Sequence, residues 1–146
     1  MKTPEYVTLE EVKRVCRELR IRDWTKLKKA KVLPKEGKII LGKVNTSGMK
    51  IPLQDFCAGL EVELEHGTQF KDANVTNNHP LLTGKIVVAH LKEPLDYYQR
   101  LEVAEIEGDL FKAFAANNLK KAADKYGNLL KARLVLAQTE KAGMGK

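Results

Sequence analysis

Apolar positions recur at helical spacing along most of the chain. Leu9, Val12, Val15, Cys16 and Leu19 form one stripe behind Thr8 and Glu11, a capping-box pair, and the helix they predict ends near Arg20. Asp23 then caps a short second helix with Trp24 and Leu27 inward and Lys26, Lys28, Lys29 and Lys31 outward, closed by Pro34 and Gly37. Leu53, Phe56, Cys57, Leu60 and Leu64 follow Pro52 as a strongly amphipathic helix, which Gly67 is placed to stop in a left-handed conformation. A polar loop covers residues 68–79. Pro80 opens a helix striped by Leu82, Ile86 and Ala89, and Pro94 opens another carrying Tyr97, Tyr98, Leu101 and Ala104, so the chain bends at Glu93. Beyond Gly108 the helical pattern resumes through Leu110, Phe111, Phe114, Leu119 and Ala122. It breaks at Gly127-Asn128, continues through Leu129, Leu130, Leu134 and Leu136, and leaves a frayed tail from Ala142.

One stretch has another character. Ile39-Ile40-Leu41 and Val44 are strand-like, Asn45-Thr46-Ser47-Gly48 has turn chemistry, and Met49-Lys50-Ile51 offers a return strand. The expected fold is therefore mainly α, with five to seven helices, one short β-hairpin near residues 38–51 and a basic C-terminal helical extension. Three segments are expected within one compact unit and its extension. They are basic N-terminal helices with the hairpin (1–51), an acidic helical core (52–108) and the basic extension (109–146).

Charge sharpens this division. Of 26 Lys+Arg and 19 Asp+Glu in 146 residues, 12 basic and 6 acidic side chains fall in residues 1–38, 6 and 11 in 39–110, and 8 and 2 in 111–146. Cationic ends flank an acidic middle, which fits either attachment through the ends or pairing of the two signs within the fold. No run approaches about 18 apolar residues, so no membrane span or membrane partner is expected. The amino terminus lacks a secretion-type apolar stretch, and the two cysteines lie on apolar stripes. Both features point to a reducing, non-secreted, cytoplasmic setting.

Four kinds of chemistry can be weighed. Glu63 and His66 are three apart on one predicted helix, and His90 and Glu93 repeat the spacing in reverse on another. Helix-borne Glu-x-x-His pairs build carboxylate-bridged metal sites, so these four residues are the candidate ligands of a divalent ion, against a structural role at helix ends. Cys16 and Cys57 have the burial of inert thiols, and no phosphate loop or Gly-x-Ser-x-Gly motif occurs, so no catalytic residue is nominated. Lys26, Lys28, Lys29 and Lys31 near Trp24, and Lys112, Lys120, Lys121, Lys125, Lys131 and Arg133 around Tyr126, are candidate contacts to nucleic-acid phosphates or to an acidic protein surface. Finally, Phe111, Phe114, Leu119 and the Leu129–Leu136 run place apolar residues on more than one side of the C-terminal segment. That excess serves either this domain's core or docking onto another subunit.

The ordered strings Glu63-Leu64-Glu65-His66-Gly67, Asn74-Val75-Thr76-Asn77, Pro80-Leu81-Leu82-Thr83-Gly84-Lys85-Ile86, Ala89-His90-Leu91-Lys92-Glu93 and Asp96-Tyr97-Tyr98 resemble an uncharacterised helical domain family of bacterial, archaeal and phage proteins. The likeness covers residues 52–102. His79 departs from it, since the family often has an acidic residue before the proline. The resemblance implies a fold element and assigns no reaction. Through the family's occurrence in phage genomes it implies a non-enzymatic virion component or accessory, of decoration or assembly type, whose partners are other protein subunits. The competing expectations are a Glu/His metal-binding helical protein, with or without enzymatic activity, and a sequence-non-specific nucleic-acid binder.

Overall fold

A computed structural model describes residues 6–144. Among them are six α-helices, α1 (Leu9–Leu19), α2 (Pro34–Val44), α3 (Leu53–Gln69), α4 (Pro80–Lys92), α5 (Tyr97–Ala115) and α6 (Leu119–Met144), with short 3₁₀ turns at Trp24–Lys26 and Lys71–Ala73. The chain divides into two compact units, one ending at Glu93 and the other beginning at Pro94.

In the first unit α2, α3 and α4 pack on one another, and α1 contacts α4 and the Trp24 turn. The core is Val12, Cys16, Trp24, Ile40, Phe56, Leu60, Leu64, Val87 and Leu91, all essentially inaccessible. The stripes of α1 and α3 thus face inward as their spacing requires. Thr8 Oγ1 accepts the Glu11 amide at 3.2 Å, but the Glu11 carboxylate turns to Arg14 instead of reaching back. Arg20 takes the left-handed conformation that ends α1 (φ 54°).

The expected β-hairpin is absent: the described residues contain no strand, and residues 34–44 are α2. Pro34 opens this helix, where its missing amide costs nothing, instead of closing the preceding element. The decisive pattern is Ile40 and Val44, one helical turn apart and both buried. Burial outweighs the strand preference of β-branched residues. Gly37 and Gly84 let the helices approach closely. A Cβ on Gly84 would lie 2.7 Å from Ile40 Cγ2, and one on Gly37 would collide with Cys57 Sγ. The turn chemistry at Asn45–Gly48 is realised: Asn45 exchanges hydrogen bonds with the backbone of Met49 at 2.8 and 3.0 Å, and Gly48 has φ 68°.

Gly67 does not terminate α3, which runs on to Gln69. Its lack of a side chain serves proximity, because a Cβ there would strike Asn78 Oδ1 and lie 2.7 Å from Asn74 Nδ2. The left-handed residues fall later, at Asn77 and Asn78 (φ 49° and 59°), where asparagine tolerates them.

The second unit is a pair of helices, α5 and α6, packed along their length. Asn117 at φ 52° ends α5, with the amides of Asn117 and Asn118 returning to Phe114 and Ala113 at 2.9 and 3.0 Å. Asn118 Oδ1 then caps α6 by accepting the Lys121 amide at 3.0 Å. The breaks expected at Gly127-Asn128 and from Ala142 do not occur, since α6 is continuous to Met144; Gly145 and Lys146 lie outside the described residues. The inward spacing Ala122, Lys125, Leu129, Ala132, Leu136 crosses Gly127 without a change of phase, and packing along it offsets the roughly 1 kcal/mol that a helical glycine costs. No described helix is long and apolar enough to cross a membrane.

Candidate functional site

The four candidate metal ligands do not converge. Glu63 of α3 and His90 of α4 meet, with Oε1 and Nε2 3.5 Å apart. His66 is exposed one turn further along α3, beside a 260 Å³ cleft that also touches Glu63, Thr76 and Thr83. Glu93 has left α4 and is exposed, with the non-helical ψ of −88°. No group of three or more ligating side chains forms among the described residues. The Glu63–His90 pair ties α3 to α4.

The third histidine has a sharper role than its sequence context suggests. His79 is buried and caps α4: its Nδ1 accepts the amides of Leu81 and Leu82 at 3.2 and 3.3 Å. Accepting through Nδ1 requires that nitrogen unprotonated. Burial holds the imidazole below its ordinary titration range, against the nearby Glu11 carboxylate, which acts to raise it. An imidazole therefore performs the capping role of a carboxylate without its charge. The adjoining asparagines are structural too: Asn77 Nδ2 donates to Val7 O at 2.6 Å, and Asn74 Oδ1 accepts the Asn78 amide at 3.2 Å.

Carboxylates organise the N-terminal basic segment. Buried Glu36 accepts the backbone amides of Leu33 and Arg22 at 3.0 and 3.1 Å and the Arg22 guanidinium at 2.6 and 2.8 Å. Burial pushes the Glu36 carboxyl up, but these donors outweigh it and the group sits below the usual carboxylate range. Glu61 of α3 takes the Val32 amide at 3.0 Å and pairs with Lys31 at 2.9 Å. Lys26 lies 3.7 Å from Asp23, whereas Lys28 and Lys29 are exposed and form no ion pair among the described residues. Trp24 is wholly buried and offers no stacking surface there. Burial raises both thiols, buried Cys16 and half-buried Cys57.

In the C-terminal cluster half of the cations are engaged. Lys125 reaches Asp109 at 2.6 Å and lowers its carboxyl, Lys112 lies 3.6 Å from the same carboxylate, and Arg133 binds Glu107 at 2.6 Å. Lys120 and Lys131 are exposed and form no ion pair among the described residues, and exposed Lys121 acts on the Asp109 carboxylate from beyond contact distance. The apolar side chains are partly buried and partly open. Ala113, Ala122, Leu129 and Ala132 are buried, Phe111 (74% exposed), Phe114, Leu119 (72%), Tyr126 and Leu130 lie open, and Leu134 and Val135 are exposed elsewhere on α6.

A family described only as proteins of unknown function, DUF5661, matches residues 12–107. The chain belongs to this family. No curated protein and no solved structure matches the chain. The DUF5661 match is longer than the resemblance visible in residues 52–102. It takes in Val12 of the first helix, the Arg22–Glu36 bridge, the Glu63–His90 pair, the His79 cap and α5 as far as Glu107.

Proposed function

We propose that this DUF5661 protein is a non-enzymatic structural or interaction component, of decoration or assembly type in a phage-like particle, that joins other protein subunits through its C-terminal hairpin. The observation that carries the docking role is the joint exposure of Phe111, Phe114, Leu119, Tyr126 and Leu130. These five side chains offer roughly 600 Å² of largely apolar surface, at the upper end for a monomer's largest patch. Thiols held protonated by burial, and carboxylates used to cap helices and bind backbone amides, favour a scaffold over a catalytic centre. The particle setting rests on the likeness to a family that occurs in phage proteins.

The test is cosedimentation with particles made by the host that carries the gene. The wild-type chain is expected to travel with assembled particles, and a Phe111→Glu variant of unchanged helicity is expected to stay behind. A wild-type chain absent from every particle fraction would sink the reading.

A further inference from the structure

Near the turn each helix of the hairpin carries apolar side chains on two sides, and the helix pair buries only one of them. Written as heptads, the seam takes positions a and d: Val103, Ile106, Leu110 and Ala113 on α5 against Ala122, Leu129, Ala132 and Leu136 on α6. In an antiparallel pair the e positions of the two helices flank the same side of that seam. Arg100–Glu140 at 2.7 Å and Glu107–Arg133 at 2.6 Å are two such e–e contacts, and both give one register. Continued toward the turn, that register sets Phe114 opposite Tyr126 and brings the b positions Phe111 and Leu130 beside them. This side is therefore ion-paired at its root and apolar at its tip.

Resting on the docking role proposed above, we infer that the apolar tip is covered by the same tip of a second copy of this chain, giving a two-fold contact of four helices. Charge placement favours a copy over other partners. Lys112, Lys121 and Lys131 occupy c and g positions on the reverse side, and Lys120 an f position on the outer edge. The charges on the apolar side are already paired within the hairpin at Arg100–Glu140 and Glu107–Arg133. The two arginines of this face are each already bound to a carboxylate of the hairpin, so an acidic protein or a phosphate backbone finds no unengaged cation there, whereas two such faces meet with their lysines pointing away. The area agrees. Roughly 600 Å² from each copy gives about 1,200 Å², the lower end of specific protein interfaces. The architecture agrees too, because apolar side chains beside an already filled seam at the hairpin tip are what a four-helix contact covers and a lone hairpin leaves open. The contact is isologous and closes at two copies.

Sedimentation equilibrium of the full chain over a range of concentrations tests this, with helicity followed by circular dichroism. The expected mass is twice that of one chain. Phe111→Glu and Leu130→Lys alter exposed side chains and are expected to leave helicity unchanged while weakening the dimer at least tenfold, about the effect of losing one interfacial anchor. Lys131→Glu on the reverse side is expected to stay dimeric. A monomeric wild type overturns the inference, as does a dimer that both face variants leave intact or that only Lys131→Glu dissolves. A monomer that still travels with particles, and loses them on Phe111→Glu, overturns the second copy alone and keeps the docking role.

Discussion

Arg22 Nη2 donates to Glu36 Oε2 at 2.6 Å from opposite ends of a fourteen-residue connection, so a single buried carboxylate holds the start of that connection against the start of α2. Glu36 also takes two backbone amides that have no other described acceptor. Glu36→Ala strands those donors and the guanidinium together. The expected cost is about 2–4 kcal/mol, discounted for an arginine that is partly in water, and urea denaturation measures it. Because the folded carboxyl titrates below its unfolded value, its contribution is present above about pH 4.5 and fades as pH falls through the folded pKa. Wild type should therefore lose its advantage over Glu36→Ala in acid.

His79 gives a second pH dependence in a higher window. Its folded pKa is depressed below 6.5, so the folded state binds fewer protons than the unfolded one and stability rises with pH there. The cap is fully effective above the unfolded value and is lost as pH falls through the folded value. Wild type should lose thermal stability between pH 7.5 and pH 5.5. His79→Asp, which keeps an acceptor for the Leu81 and Leu82 amides, should lose less over that range. Equal losses in the two proteins would remove His79 as the cause.

Two glycines should respond in opposite directions. Gly42 is exposed within α2 and a Cβ there meets nothing within 4 Å, so Gly42→Ala should stabilise by about 0.5–1 kcal/mol. At Gly84 the added methyl meets Ile40 at 2.7 Å and two methyls of Val44 at 3.3 Å, and Gly84→Ala should cost about 1–3 kcal/mol. Thermal midpoints of the two variants check both signs.

Leu129 and Leu130 are neighbours in sequence with separate duties. Leu129 is buried in the α5–α6 seam and Leu130 is half exposed on the apolar side. Leu129→Ala should destabilise the hairpin by about 2–4 kcal/mol, whereas Leu130→Ala should cost well under half of that in an isolated chain. Denaturation at low protein concentration, followed by circular dichroism, separates the two effects.

The Glu63–His90 contact ties two helices with no third ligating group in reach among the described residues. His90→Ala should accordingly cost about 1 kcal/mol, and equally before and after treatment with a chelator. A penalty confined to the untreated protein, together with stoichiometric metal by elemental analysis, would restore the metal reading.

The helices that the sequence made legible are those with one strong stripe. Leu53 to Leu64 and Val12 to Leu19 could be read directly because a single periodicity and a clear start signal agree. The segment 34–44 was misleading because Ile39, Ile40 and Val44 carry a local strand preference, while the burial of Ile40 and Val44 belongs to contacts made far along the chain. Gly67 and Gly127 misled for different reasons. Gly67 marks a close approach that only the position of Asn78 reveals, whereas Gly127 marks neither a turn nor an approach and is carried through α6 by the seam on either side of it. Among the candidate sites, the histidine spacing drew attention to His66 and His90, while the working imidazole is His79, whose signal was its place immediately before Pro80. The doubled apolar character of the last forty residues was visible in composition, but its division into a seam and an open side required the register that Arg100–Glu140 and Glu107–Arg133 establish.

Trp24, the sole tryptophan of the chain, is sealed inside the unit that ends at Glu93. Its indole emission is thus an intrinsic optical reporter for that unit. Ellipticity, by contrast, registers every helix at once. Recording both signals during one thermal ramp sets the melting of that unit against the total loss of helix without a label, a truncation or an added dye.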